Sequence, residues 1–291
     1  MDFRYLPPSE IIEVHRDMPF KEIKKPEPKT IRALERGLEV MQIMQEHGPA
    51  TLNDIYHASG LPRPTILRVL RTLEQAGWIR RGLADGLYRN SFKMERMVDG
   101  LDHTDRLAEI TAPFLDALCR KASWPAELTV LSSSGLHMEL KETSRASSPF
   151  LLNRDNVGHL INIPLSSVGR AYLAFCGAEE GNEIIDRLKK TTSIANRIVR
   201  NDAAFQKILD EVRSAGYALR EPSFGGGQNP LKSSFDDGLN AVAVPILSSK
   251  GVLGCLTLAW IRKAAPIEDI VDEYLADLIK AAEDISDQYE K

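Results

Sequence analysis

Cysteine is scarce in this 291-residue chain, and its three copies, Cys119, Cys176 and Cys255, are scattered with no CxxC spacing. An odd, dispersed set argues against a disulfide framework or a thiolate metal site and fits a reducing, cytoplasmic setting. Histidine is also thin: the six copies show neither HExxH nor HxxxH spacing. No metal and no cofactor are therefore expected. Long apolar runs are missing as well. The most apolar region, Leu239–Ile261, is broken by Pro245 and by SSKG at 248–251, and each half falls well short of the roughly 20 residues that span a bilayer. No membrane partner is expected. The opening MDFRYLPPSE carries acids and prolines where a secretory leader needs an apolar stretch, so none is expected there.

What is present is an ordinary globular composition, 43% hydrophobic and 27% charged, on a chain long enough to make two domains the default. Charge is unevenly spread. Residues 29–96 hold 11 Lys/Arg against 7 Asp/Glu, a local +4, whereas the whole chain is at −4, which leaves the remainder at −8. A basic segment on an acidic body suggests a polyanion-binding module joined to something else.

Residues 1–28, with five prolines, read as a flexible N-terminal arm. Helical periodicity starts near Thr30, with Ile31, Leu34, Leu38 and Met41 on one face, and stops at His47-Gly48-Pro49. Thr51-Leu-Asn-Asp54 resembles a capping box with Asp in place of Glu or Gln. Ser59-Gly60-Leu61-Pro62 predicts a tight turn, and a third helix runs from about Arg63 to Gln75. Two short β-like segments around Asp85-Gly86 predict a hairpin. Three helices and a two-stranded ribbon, in that order, predict a winged helix-turn-helix over 29–90, then a helical connector over 91–122. From residue 123 to 291, strands and helices alternate. Strands are expected at Glu127–Ser132, His137–Thr143, Ile161–Pro164, Ala241–Leu247 and Val252–Ile261, and helices at Ser167–Cys176, Glu180–Leu188, Asp202–Ala215 and Ile267–Tyr289. The class is α+β, an antiparallel sheet flanked by helices.

The third helix carries the chemistry. Ile66, Val69, Leu70 and Leu73 form an inward stripe, which leaves Arg63, Thr65, Leu67, Arg68, Arg71 and Thr72 around the rest of the helix. Arginine can take guanine O6 and N7 bidentately or neutralise phosphate, and threonine or an exposed apolar side chain can touch a thymine methyl. The hairpin adds Arg80, Arg81 and Arg89, placed for phosphate or minor-groove contact. Any single arginine has the bland alternative of a solvated surface charge; the ordered set is the signal. Double-stranded DNA is the implied partner.

The run TLNDIYHASGLPRPTILRVLRTLEQAGWIRRGLADGLYRNSF resembles the winged helix of the IclR family of bacterial transcription regulators, which shows a GLPRSTVHRLLxTLExxGYVxR-like pattern. This chain departs from it at Pro64 and Leu67, where the family pattern has Ser and commonly His or Tyr. The resemblance continues through VGHLINIPLSSVGRAYLAFC at 157–176, AGYALREPSFGGG at 215–227 and LNAVAVPILSSKGVLGCLTLAW at 239–260, covering about residues 30–290. It implies a GAF-like effector domain over 123–291, a small organic acid as effector, and a homodimer through the N-terminal domains, with a dimer of dimers and RNA polymerase as further candidates. Several stretches look closest to regulators of aromatic-acid catabolism of the 3-hydroxyphenylpropionate type. Carried over, the effector positions are Ser166, Ser167 and Val168 at a helix start and Ala241, Cys255, Thr257 and Ala259 in the late strands. A helix N-terminus attracts a carboxylate through its free N–H groups and dipole. Cys255 also reads as a packed small hydrophobe, and Trp124 as core. Arg154, and secondarily Arg145, are the cations considered for pairing an acid.

Two other classes compete. A hydrolase built on the C-terminal domain would need a nucleophile and base, yet there is no GxSxG elbow, and His137 and His159 lack recognisable partners. A protein-interaction module could keep a winged helix, but the arginines on the third helix and hairpin argue against it.

Overall fold

The computed structural model describes residues 29–94, 103–149, 157–227 and 236–291. The chain divides into two compact units, 1–99 and 100–291.

In the first unit, α1 (Arg32–His47), α2 (Leu52–Ser59) and α3 (Arg63–Gln75) precede a hairpin of β1 (Ile79–Arg81) and β2 (Tyr88–Asn90). Local chemistry sets each boundary. The Thr51 hydroxyl accepts from the Asp54 N–H (3.1 Å) while the Asp54 carboxylate accepts from the Thr51 N–H (2.8 Å), so aspartate does complete the capping box. Gly60 ends α2 at φ +64°, a conformation that suits glycine. Pro64 lies in the first turn of α3, where its missing N–H has no intrahelical role. The hairpin connection is the six-residue stretch 82–87, one residue longer than GLADG, because β1 and β2 pair Arg81 with Tyr88. Ala50 bridges to Tyr88 on the outer side of β2. The core is small: Val40, Met44, Ala50, Ile55, Ile66, Leu70 and Ile79.

The apolar stripe at the start of α1 is not part of that core. Ile31, Leu34 and Leu38 are 67%, 59% and 57% exposed, and the residues α1 does bury are Val40 and Met44. Its periodicity was real, but it marks a surface.

The second unit is built on a six-stranded antiparallel sheet in the order β5-β4-β3-β8-β7-β6. Its strands are β3 (Ala126–Leu131), β4 (His137–Thr143), β5 (Leu160–Asn162), β6 (Ala218–Leu219), β7 (Leu239–Ser248) and β8 (Gly251–Ile261). Strand alternation sorts side chains onto two faces. Leu128 and Val130 of β3, Val242, Val244 and Ile246 of β7, and Leu256, Leu258 and Trp260 of β8 face one way, onto α4 (His103–Ala122) and α8 (Ile267–Tyr289). The other face carries small or polar residues, including Glu127, Thr129, Ala241, Ala243, Thr257 and Ala259. It is covered by α5 (Ser167–Phe175), α6 (Ala178–Lys189) and α7 (Asp202–Ala215) with Val168, Ala171, Leu188, Phe205 and Leu209. Short side chains beneath a helix start leave space there.

The connector expected over 91–122 is shared between the two units, which meet at 99/100. From His103 onward it belongs to the second unit, with Leu107, Leu115, Leu118 and Ala122 in that unit's core. The segment 95–102 and the N-terminal arm lie outside the described residues.

Candidate nucleic-acid interface and ligand cavity

On α3, Arg63, Leu67 and Arg71 follow one another at i, i+4 and i+8 along one outward line, and Arg68 and Thr72 form a second line beside it; all five are exposed, while Ile66 and Leu70 are buried on the opposite side. Thr65 is half-buried next to Arg68 and Val69. The Thr72 hydroxyl donates back to the Arg68 carbonyl (2.8 Å), which spends its donor inside the helix.

The arginines differ in how they are held. Arg63 donates to Asn53 of α2 (2.7 Å) and lies over the Tyr56 ring. Arg81 donates to the Gly86 carbonyl (2.9 Å) and covers Tyr88. Arg89 forms two hydrogen bonds to the Asp85 carboxylate, 2.9 and 2.5 Å, and these bonds hold the Asp85 carboxyl well below the usual carboxylate range. The side chains of Arg68, Arg71 and Arg80 make no hydrogen bond or ion pair among the described residues. The unit thus presents bare cations on α3 and β1, and a hairpin whose two other arginines stiffen its own loop.

In the second unit a small cavity opens between the small-residue face of the sheet and the start of α5. Ser166, Ser167, Val168, Ala241, Thr257 and Ala259 all line it, as does Arg145. Ser166 is the N-cap: its hydroxyl accepts from the Gly169 N–H (3.0 Å). The first N–H groups of α5 have no partner within the helix, so their dipoles face the space. Gly169 allows this close seating, since a Cβ there would run into the backbone of Ile163.

Cys255 is not among the lining residues. It sits on the same face of β8 but deeper, with its thiol against the Val168 carbonyl (3.4 Å) and completely buried, and burial pushes its pKa far up. Trp124 belongs to the core on the other face, and Arg154 lies outside the described residues. Arg145 is neither a surface ion pair nor an open cation: it donates twice to Glu127 (2.8 and 2.5 Å) inside the cavity wall.

Sequence reasoning missed a second, part-buried pair. Arg220 binds both oxygens of Asp237 (3.0 and 2.8 Å) and the Phe224 carbonyl (3.0 Å), and stacks on the Phe224 ring. His159, Leu140, Ile161 and Leu239 complete the wall. The available signal was the glycine run at 225–227: Gly226 stands at φ +112° where a Cβ would strike Asp237, and Gly227 packs on His159. Glycine there lets the loop close down on charged side chains. With Glu127–Arg145 and Arg220–Asp237 the wall balances two cations with two carboxylates. Thr257 Oγ1 and Arg220 Nε are buried without a hydrogen-bond partner among the described residues. The free volume is about 60 Å³, small beside the roughly 300–1,000 Å³ of pockets that enclose drug-sized ligands.

Residues 33–82 match the IclR helix-turn-helix domain, and residues 100–287 match the bacterial transcriptional regulator IclR C-terminal domain. The chain belongs to the IclR family. It is a DNA-binding transcriptional regulator with an N-terminal helix-turn-helix unit and a C-terminal antiparallel sheet flanked by helices. The IclR transcriptional repressor of Escherichia coli K12 is 22% identical over 267 residues, 89% of this chain and 90% of that one. The Thermotoga maritima IclR crystal structure superposes with a TM-score of 0.52 at 17% identity, covering 90% of this chain and 100% of that one. An IclR homologue from Microbacterium hydrocarbonoxydans, crystallised with 4-hydroxybenzoate, gives 0.50 at 22% identity over 89% and 99%. No helix among the described residues is long and apolar enough to cross a membrane.

Proposed function

We propose that this IclR-family regulator binds a specific duplex operator through α3 and the hairpin, and that a small organic acid in the cavity of the second unit modulates this binding. The observation that carries the DNA half is the exposed row Arg63, Leu67, Arg71 beside Arg68 on a rigid three-helix core, with Arg80 presented from β1. Arg63, Thr65, Leu67, Arg68 and Arg71 face the major groove in this reading, and Arg80, Arg81 and Arg89 flank it; Arg81 and Arg89 act mainly by holding the hairpin in shape. The cavity supports the effector half. A helix start, an unpartnered hydroxyl on Thr257 and an unpartnered N–H on Arg220 converge where an anion can be bound. Its small volume favours a short-chain acid; an aromatic acid has to open the wall.

The active species is a homodimer, cytoplasmic and without catalytic turnover. The uncovered Ile31, Leu34 and Leu38 stripe on α1 supports self-association through the N-terminal units. Two α3 helices then address half-sites of a pseudo-palindrome. A ligand shifts binding only by preferring one arrangement over another. Both Cys176 and Cys255 have thiols pushed up by burial, the former to about 11, so neither supplies a thiolate at neutral pH.

The test is a mobility-shift titration on the gene's own upstream DNA, repeated with pyruvate, glyoxylate and 4-hydroxybenzoate, alongside a general esterase assay. Salt-sensitive, sequence-dependent retardation that one acid alters is expected. Indifference to every duplex, or turnover of an ester, overturns the reading.

A further inference from the structure

Asn53 and Tyr56 lie three residues apart on α2, hence on one face, and both reach the first residue of α3. Asn53 Oδ1 accepts from Arg63 Nη2 at 2.7 Å, and the Arg63 guanidinium carbon stands 5.1 Å from the centre of the Tyr56 ring. All three side chains are solvent-exposed, so no burial forces this arrangement. Tyr56 also meets His57 edge-on, with centroids 5.4 Å apart. No comparable brace holds Arg68 or Arg71 among the described residues.

We propose that Arg63 reads a guanine edge in the operator and that Asn53 and Tyr56 are positioning residues that preset its guanidinium for that contact. The inference rests on the DNA-binding role of α3. An arginine fork carries five N–H donors in fixed geometry. Asn53 takes one, and the stack fixes the plane, so an edge with two parallel donors stays open for a bidentate partner such as guanine O6 and N7. A free arginine loses rotamer entropy when ordered; here the fold has already ordered it. Discrimination between bases needs that fixed geometry, whereas attraction to a phosphate does not. Arg63 also heads α3, and residues at the start of a recognition helix meet base edges first. Arg68 and Arg71, unbraced, are assigned the tolerant contacts.

The experiment is selection of duplexes from a random library by the full chain and its variants, with thermal unfolding of each. Wild type selects a motif with a guanine whose preference Arg63→Ala abolishes, with a loss of roughly tenfold or more in affinity for the preferred duplex. Asn53→Ala weakens the preference at that same position only, leaving non-specific affinity and the thermal midpoint unchanged. Asn53→Asp, which keeps the acceptor, restores the preference while weakening all duplexes alike through its charge. Tyr56→Leu behaves as Asn53→Ala. The proposal is overturned if Asn53→Ala leaves the preference intact, or if Arg63→Ala lowers affinity for all sequences equally. Failure of the wild-type chain to select any motif would sink sequence-specific binding altogether, a different result from either.

Discussion

The arginines of the two units make an instructive pair of populations. On α3 they stand in solvent, and two of the three have no partner among the described residues. Around the cavity Arg145, Arg170 and Arg220 are each bound to a carboxylate, on Glu127, Glu221 and Asp237. The difference follows from desolvation. A guanidinium in water costs the fold nothing and remains available to phosphate, whereas one taken into the interior needs a carboxylate with it. The same side chain therefore serves recognition in one unit and architecture in the other. Arg170 illustrates the second role: its guanidinium ties α5 to the Pro164 carbonyl (2.9 Å) and to Glu221 (2.6 Å), on the two segments beside the cavity.

The contrast can be broken most sharply by truncation. Arg220→Met leaves the part-buried Asp237 carboxylate with only the Leu239 N–H and is expected to cost about 2 kcal/mol, while Arg71→Met stays within about 0.5 kcal/mol. Urea denaturation of both variants measures this, and matching midpoints would erase the distinction. The next effect lies on DNA. Arg68→Ala and Arg71→Ala should each reduce the slope of log affinity against log salt by about 1 without changing base preference; an unchanged slope removes that residue from the phosphate contacts. The smallest effect concerns the hairpin. Because Arg89 depresses the folded-state pKa of Asp85, their pairing adds stability above the ordinary aspartate range and loses it as pH falls toward the depressed value. The thermal midpoints of wild type and Arg89→Ala should therefore differ most at pH near 7 and converge on acidification. A constant gap would mean that the pairing is not what Arg89 contributes.

Much of this architecture was legible because the signals were local. The bounds of α7 and α8 followed from periodicity, and α7 is closed by an Asn201 cap and by Gly216 at φ +80°. Thr257 and Ala259 follow from the family resemblance, and strand alternation in β8 accounts for their shared face. Other features hid for physical reasons. Strand β6 is two residues long, too short to show any period. Cys255 has the right parity, but it sits one pleat too deep, a matter of where α5 lies. The Arg220–Asp237 pair spans a loop, and nothing in a linear pattern says that two charges 17 residues apart will meet. The α1 stripe was visible as a period, but periodicity alone does not say whether a face looks inward or waits for another surface.

Helix α4 is tied directly to the segments that carry the cavity wall. The helix ends against Ser144, whose carbonyl meets the Cys119 thiol at 3.6 Å and whose hydroxyl clasps Ala126 through bonds of 2.8 and 3.0 Å. The residues that follow these two, Arg145 in the turn after β4 and Glu127 in β3, form the cavity's ion pair. At its other end Arg106 grips the Tyr289 carbonyl (3.0 Å), so the rod is bolted down along its 20 residues. With a rise of 1.5 Å per residue it is about 30 Å long. Pinned at both ends, the rod keeps the cavity's ion pair and His103 at a set spacing within the second unit.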